Sequence, residues 1–459
     1  MQTAQHNQDT IIALATPQGV GAIGVIRLSG PESITLVNQV FKGKNLEQQE
    51  SHTIHFGTIR DGEKILDEVL VSLFIAPKSF TKENVVEISC HGSNFIIKQI
   101  IQLFIRKGAR PAKPGEFTKR AFMNGQFDLA QAEAVADLIN ADSEAAHNTA
   151  LNQMRGGFSG EIKQLREELI HFASMIELEL DFGEEDVEFA SRDELKDLVN
   201  KLLKVVNALI HSFDLGNVIK NGVPTVIAGK PNAGKSTLLN ALLNEEKAIV
   251  SDIAGTTRDF IEDEIIIGGV AFRFIDTAGL RETTDAIESI GVARSRAKMK
   301  EASLIIYLFD LGELDIVEMN QEINRLENAG VPFLKLGNKL DKVKEGVIEK
   351  LQHQHPDMLF LSAKDPEQVE TLKHRILELV NLDKFKRGDT VVTNIRHYDS
   401  LLQTKNSLDA VIEGIDNQVT NDFVAMDIRQ ALHYLGEITG EITTDDLLAN
   451  IFSKFCIGK

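Results

Sequence analysis

The chain has 459 residues, 43% hydrophobic and 25% charged, with 68 acidic residues against 49 basic ones for a net charge of −19. Such a length implies roughly three domains, and an acidic surface does not attract phosphate backbones, so any nucleic acid must be held by a local basic patch or by a partner. Two cysteines, Cys90 and Cys456, exclude a disulfide framework and fit a reducing compartment. The polar N-terminus lacks the pattern of a signal peptide and no run of about eighteen apolar residues stands out, so the expectation is a cytoplasmic protein with no membrane span.

In chain order, Ile11–Ala13 and Ile23–Leu28 read as short strands separated by a Pro-Gln-Gly turn. A helix is predicted around Ser33–Phe41, strands at Thr53–Arg60, Leu66–Phe74 and Val85–Ser89, and a helix at Asn94–Lys107. From Ala130 to about His211 the pattern turns almost wholly helical. Ala132, Val135, Leu138 and Ile139 share one face, continued by Ile162, Leu165, Leu169, Phe172, Ile176 and Leu180. The acidic run Glu184, Glu185, Asp186 and Glu188 interrupts it, and another helix follows at Glu194–Ser212. At Val223 strand-like runs begin to alternate with helical stretches: Pro224–Ala228, Ala271–Ile275, Leu304–Phe309, Val331–Leu336 and Met358–Leu361. That alternation indicates a parallel sheet with crossover helices. Helices return after about Asp383, at His397–Gly414 and Asp422–Leu435. The expected fold is therefore multidomain, α/β plus α, with a helical domain interrupted by an inserted P-loop unit. The expected boundaries are 1–122, an N-terminal domain; 123–217, the first helical part; 218–382, the inserted unit; and 383–459, the second helical part.

The strongest local motif runs from Gly229 through Asn232, Ala233, Gly234, Lys235, Ser236 and Thr237, between a predicted strand and a predicted helix. It fits a phosphate-binding loop: glycines let backbone amides turn inward, Lys235 supplies a charge at the β/γ oxygens, and Ser236 offers a hydroxyl to Mg²⁺. Asp276, Thr277, Ala278 and Gly279 follow the Ala271–Ile275 strand, where the aspartate can hold the Mg²⁺ shell and the Gly279 amide can sense the γ-phosphate. Asn338, Lys339 and Asp341 follow the next strand but one; a carboxylate at Asp341 accepts two adjacent donors from guanine and rejects adenine. Ser362, Ala363 and Lys364 can back the base with a main-chain amide. Four elements in this order predict a GTPase. Ser251, Asp252, Ile253, Ala254, Gly255, Thr256 and Thr257 occupy the place of the first switch, with Thr257 the favoured Mg²⁺ ligand. The residue after Gly279 is Leu280, which cannot orient water as the glutamine of Ras-type enzymes does. Arg281, Glu282 and Glu288 are the nearby candidates, and spacing does not choose among them.

At this point the chain resembles the MnmE/TrmE family of GTPases that install a carboxymethylaminomethyl group on the wobble uridine of certain tRNAs. Besides the GTPase motifs, the resemblance is carried by Ala15-Thr16-Pro17, Gly24–Gly30, Glu87–Gly92, Pro114–Phe122, Asp128–Ala134 and the terminal Phe455-Cys456-Ile457-Gly458-Lys459. It implies an N-terminal domain that forms a homodimer and binds a formyl-tetrahydrofolate through Arg27, Glu87 and Lys459. A fourth folate position, commonly basic in the family, is Gln126 here, and an amide does not replace a charge toward a carboxylate. It also implies that G domains pair across their switches with K⁺ in the role of an arginine finger. The K⁺ positions match Asn232, Ser251, Ile253 and Thr256, and Glu288 matches the glutamate that orients the attacking water. Such a fixed cation suits a reaction in which charge develops near the β/γ bridge. Cys456 would be needed for modification, whereas Cys90 reads as a packed strand residue. The family works with a FAD-dependent partner, GidA (MnmG), which could bring the basic surface for tRNA that this acidic chain lacks. No membrane or DNA partner is implied. Two rival readings are a ribosome-assembly GTPase, which would carry a basic RNA-binding module, and a folate-dependent aminomethyltransferase with a regulatory G domain.

Overall fold

The computed structural model describes residues 9–181, 192–246, 263–275, 302–343, 346–380 and 390–458. The chain forms two compact units: Met1–Ala136 with Gln153–Asn200 and Gln403–Lys459, and Asp137–Asn152 with Lys201–Leu402.

The first unit opens with a mixed α/β domain. Strands β1 (Ile11–Leu14), β2 (Ile23–Ser29), β3 (Phe41–Lys42), β4 (Thr53–Asp61), β5 (Lys64–Phe74), β6 (Val85–His91) and β7 (Arg110–Pro111) alternate with helices α1 (Ser33–Val40), α2 (Asn94–Arg106) and α3 (Glu116–Met123). They form one sheet in the order β3-β4-β5-β6-β2-β1-β7, antiparallel except for the β1·β7 pair. Side chains alternate across a strand, so Val69, Val71 and Leu73 of β5 and Ile26 and Leu28 of β2 turn to the same core as Val37 of α1 and Ile100 and Phe104 of α2. The same alternation turns Arg27 and Glu87 to the opposite face. There Ile11, Ala13, Ala112 and Phe117 form a smaller cluster.

An ion network fastens α3 to the start of the chain. Arg120, only 3% exposed, donates to Asp9 at 2.6 Å and to Glu83 at 3.3 Å. Arg110 donates to Asp9 at 2.6 Å and to Glu116 at 2.5 Å. Burial pushes the Asp9 and Glu116 carboxyls up, but hydrogen bonds from Arg110, reinforced by Arg120, by the Lys113 amide at Glu116 and by the nearby positive charge, outweigh it and leave both below their ordinary values. A carboxyl with a depressed folded pKa stabilises above its unfolded pKa and loses that contribution as pH falls through the folded one. Glu116→Gln should therefore lower the melting temperature at neutral pH, and its gap from the wild type should narrow as pH falls below the ordinary glutamate value of 4.5 and close once pH has passed below the depressed folded one. Thermal melts at stepped pH check this, and a gap that persists at acid pH would remove Glu116 ionisation as its source.

The helical region reads α4 (Leu129–Ile139), α5 (Glu144–Met154), α6 (Gly157–Asp181) and α7 (Arg192–Asn221), and it resumes after the G domain. The predicted apolar face of α6 is buried at Ile162, Leu165, Leu169, Phe172 and Ile176. Among the described helices, α7 alone is long and apolar enough to cross a membrane, with a window of mean hydropathy 1.3. Its buried Leu195, Val199, Leu202, Val206 and Leu209 recur at three- and four-residue spacing, the arrangement of a helix with one face in a protein core.

The second unit holds the G domain: β8 (Val223–Gly229), α8 (Lys235–Glu246), β9 (Asp263–Ile267), β10 (Val270–Phe274), β11 (Leu304–Asp310), α9 (Ile316–Ala329), β12 (Phe333–Asn338), α10 (Val347–Gln354), β13 (Leu359–Phe360) and α11 (Pro366–Leu379). The sheet order is β13-β12-β11-β8-β10-β9. Its pairs are parallel except β9 with β10, an antiparallel edge hairpin that the sequence pattern does not predict. Gly268 and Gly269, at φ +59° and +81°, make its two-residue turn, which needs positive φ at both positions. The Asp315 and Asp365 side chains cap α9 and α11. Beyond lie α12 (Ile395–Asp416), α13 (Asn421–Thr439) and α14 (Asp445–Ser453). Arg166 of α6 donates to the Leu432 carbonyl at 2.6 Å and pairs with Glu441 at 2.7 Å, while Arg429 pairs with Glu177. Helices from before and after the G domain thus pack together, as expected of a helical domain with an insertion.

Candidate functional site

The loop from Gly229 to Gly234 joins the C-terminal end of β8 to the N-terminus of α8, where the helix amides point toward an anion. Asn232 sits in the left-handed region at φ +63° and Gly234 at φ +100°. Lys235 folds back over the loop, its ammonium donating to the carbonyls of Gly229 at 2.9 Å and Lys230 at 2.8 Å. Burial lowers the Lys235 pKa. Carbonyl dipoles hold that cation without neutralising it, so the loop suits a dianionic phosphate. Ser236 and Thr237 follow in the first turn of α8.

Asn338, at the end of β12 and 2% exposed, is the strut of the site. Its Nδ2 donates to the Ala233 carbonyl at 2.8 Å and its Oδ1 accepts from the Ala363 amide at 3.0 Å. One amide thereby ties the phosphate loop to the Ser362-Ala363-Lys364 loop. Gly234 is required beside it, because a Cβ there would lie 2.2 Å from Asn338 Nδ2. Asp341 is oriented by the Ser362 hydroxyl, which donates to it at 3.0 Å. The Ser362 amide donates to Gln368 at 2.7 Å, and the Ala363 amide is engaged by Asn338.

Sequence reasoning missed Asp310. Its carboxylate pairs with Lys339 at 2.6 Å and accepts from the Gly312 amide at 3.0 Å, holding a lysine whose own backbone is left-handed at φ +65°. Asp310 and Asn338 are register partners on adjacent parallel strands. The available signal was an acidic residue at the carboxyl end of a central strand, where ligands of open α/β sheets bind. Lys230 of the loop also pairs with Glu318 of α9.

The predicted switch residues Ser251, Asp252, Ile253, Ala254, Gly255, Thr256 and Thr257 lie outside the described residues. So do Asp276, Thr277, Ala278, Gly279, Leu280, Arg281, Glu282, Glu288 and Lys459.

In the N-terminal domain, Arg27 and Glu87 are direct cross-strand partners. The Arg27 guanidinium donates to Glu87 at 2.8 Å and to the carbonyl of Gly458 at 3.1 Å, and it lies over the Phe117 ring. Gly458 can approach this closely because it lacks a Cβ, which would meet the Leu14 carbonyl at 2.2 Å. The C-terminal tail is thus seated beside the pair. Gln126 lines a groove of about 420 Å³ with His52, Phe74, Pro77, Lys78, Ser79 and Phe80, a lining that includes neither Arg27 nor Glu87. Cys456 is exposed and Cys90 buried. Burial pushes the Cys90 thiol up to about 11, so it is an inert packed group.

A loop of P-loop sequence between β8 and α8, tied through Asn338 to the Ser362–Lys364 loop, marks a P-loop G domain of the GTPase class, carried within a helical domain that follows an α/β N-terminal domain. The family description "MnmE helical domain" matches residues 129–456 and "GTP-binding protein TrmE N-terminus" matches residues 10–126. The tRNA modification GTPase MnmE of Cytophaga hutchinsonii is 62% identical, with 100% of this chain and 99% of that protein covered. Those of Flavobacterium psychrophilum and Bacteroides thetaiotaomicron are 54% and 48% identical, over 98% and 99% of this chain and 99% and 100% of theirs. The chain belongs to the MnmE family of tRNA modification GTPases.

Proposed function

We propose that this chain hydrolyses GTP while acting, with a FAD-dependent GidA (MnmG) partner, to install the carboxymethylaminomethyl group on the wobble uridine of tRNA in the cytoplasm. The carrying observation is the Asn338 strut, which joins a phosphate-shaped loop to a guanine-reading loop in a chain of this family. Asn232 through Thr237, the switch residues 251–257, Asp276–Gly279, Asn338, Lys339, Asp341 and Ser362–Lys364 form the GTP site in this reading. Ser236 and Thr257 would hold Mg²⁺, which would neutralise phosphate charge. The desolvated Lys235 ammonium supports a polyanion in the loop. K⁺ would be held by Asn232, Ser251, Ile253 and Thr256, with Glu288 orienting water.

Folate would be held on the N-terminal domain by Arg27, Glu87 and Lys459, with Gln126 a weaker fourth contact and Cys456 close by on the tail. The partly exposed Arg27–Glu87 pair, at 22% and 26% exposure, offers both donors and acceptors, which suits a folate head group. Homodimerisation is supported by the same sheet face. Ile54 and Ser72, then Ser72 and Glu87, are register partners of the Arg27 row, and Phe56 and Leu70 pair beside it. Ile54, Phe56 and Leu70 are 66%, 67% and 47% exposed, an apolar group that a second copy would cover. The domain boundaries 1–122, 123–217, 218–382 and 383–459 belong to the same proposal.

GTP turnover in K⁺ and Na⁺ buffers of matched ionic strength, with wild type and Glu288→Ala, tests the mechanism. Fast turnover confined to K⁺ and lost in the variant is expected. Equal turnover in both salts, untouched by the substitution, would sink K⁺-driven pairing and favour the ribosome-assembly switch.

A further inference from the structure

We infer that the solvent face of α2 is a docking surface for the phosphate backbone of tRNA. This inference rests on the tRNA reading above and deepens it, because it assigns the chain a nucleic-acid contact of its own.

The chain is strongly acidic, yet no aspartate or glutamate occurs between Glu87 and Glu116. Lys98, Arg106, Lys107, Arg110 and Lys113 all fall in that interval. Folding turns part of this bias into a surface. Ile97, Ile100, Leu103 and Phe104 of α2 are buried against the sheet. Asn94, Lys98, Gln102 and Arg106 follow one another every four residues and are all exposed, so they form one stripe along the helix. At 1.5 Å per residue the stripe is about 18 Å long. Each of its members can donate a hydrogen bond, and two are cations. Lys107 extends it at the helix end, and Phe95 and Ile105 flank it at 66% and 39% exposure.

A basic residue near a helix C-terminus is also favoured by the helix dipole. That accounts for Arg106 and Lys107, but not for Lys98 in the second turn or for the missing acids. Arg106 is paired with Asp61 at 2.5 Å, both side chains being about half exposed at 56% and 47%. Such a pair contributes little to stability and can exchange its carboxylate for a phosphate. The Arg27–Glu87 pair and the exposed apolar residues of β4 and β5 lie on the opposite sheet face. A second copy covering that face would leave α2 free for RNA.

The test is binding of a labelled, unmodified tRNA transcript to the full chain by fluorescence anisotropy, from about 50 to 200 mM salt. The variant is Lys98→Glu/Lys107→Glu. The control, Lys42→Glu/Lys44→Glu, makes the same charge change at and beside the edge strand β3. Affinity should fall about tenfold or more in the α2 variant, and the salt dependence should become shallower by about 0.7–0.9 per lost phosphate contact. The control should keep the wild-type slope, and GTP turnover should be unchanged in both. Wild-type affinity and slope in the α2 variant would overturn the inference while leaving the tRNA reading intact. An equal loss in the control would overturn it by exposing a general charge effect. Absence of tRNA binding by the wild-type chain at the lowest salt, alone and with its flavoprotein partner, would overturn both.

Discussion

Replacing Gly234 by alanine should weaken guanine-nucleotide binding by about 100- to 1,000-fold, since each 1.4 kcal/mol is tenfold. Two separate costs combine. A non-glycine residue at φ +100° is strained by about 1–3 kcal/mol. The new methyl would also occupy space 2.2 Å from Asn338 Nδ2. Moving Asn338 breaks its bonds to Ala233 and Ala363, and each buried polar group left unpaired costs about 1–3 kcal/mol. Titration with a fluorescent guanine nucleotide measures the loss. Circular dichroism should show retained helix, because the helical domain has its own core. Unchanged affinity would mean that the loop relaxes around the methyl and that Asn338 is no strut.

Asp341→Asn should reduce GTP affinity by on the order of 10³-fold or more, the scale on which sites built to pair a polar edge reject a mismatched one. Xanthine nucleotide should recover much of it. Guanine presents two donors to a carboxylate; xanthine replaces the amino group with a carbonyl, which an asparagine amide can meet with a donor. The Ser362 hydroxyl at 3.0 Å can donate to the amide oxygen as it does to the carboxylate, so the side chain keeps its orientation. Competition of GTP and XTP for the variant reads out the exchange. A loss of both nucleotides alike would assign Asp341 to loop structure instead of base selection.

Much of the G domain was legible because parallel strands buried on both faces read as apolar runs. β8, β10, β11 and β12 were placed within one or two residues. β9 was missed: its sequence Asp263-Glu264-Ile265-Ile266-Ile267 opens on two acidic residues, and it is short and at the edge. The two-residue strands β3 and β7 have no periodicity to read. The helical stretch from Ala130 merged several helices, since an apolar face can continue across a short break. At the site, residue types announced Lys235, Asp341 and Asn338, but the strut itself depends on how the ends of β8 and β12 approach, which spacing cannot give. The Arg27–Glu87 pair is a consequence of strand register. The groove at Gln126 and the seating of Gly458 likewise arise only once distant segments meet.

The packing of α6 against α13 carries a consequence for how the protein is made. Arg166 reaches the Leu432 carbonyl across 266 residues of chain. At roughly 5–20 residues per second of synthesis, α6 waits on the order of tens of seconds on the ribosome for its partner. During that interval the G domain, whose core lies between the two, can fold as it emerges. The apolar stripe of α6 at Leu165, Leu169, Phe172 and Ile176 stays without its α13 partner throughout that interval. The nascent chain is therefore most open to chaperone capture, or to aggregation, after its catalytic domain has already formed.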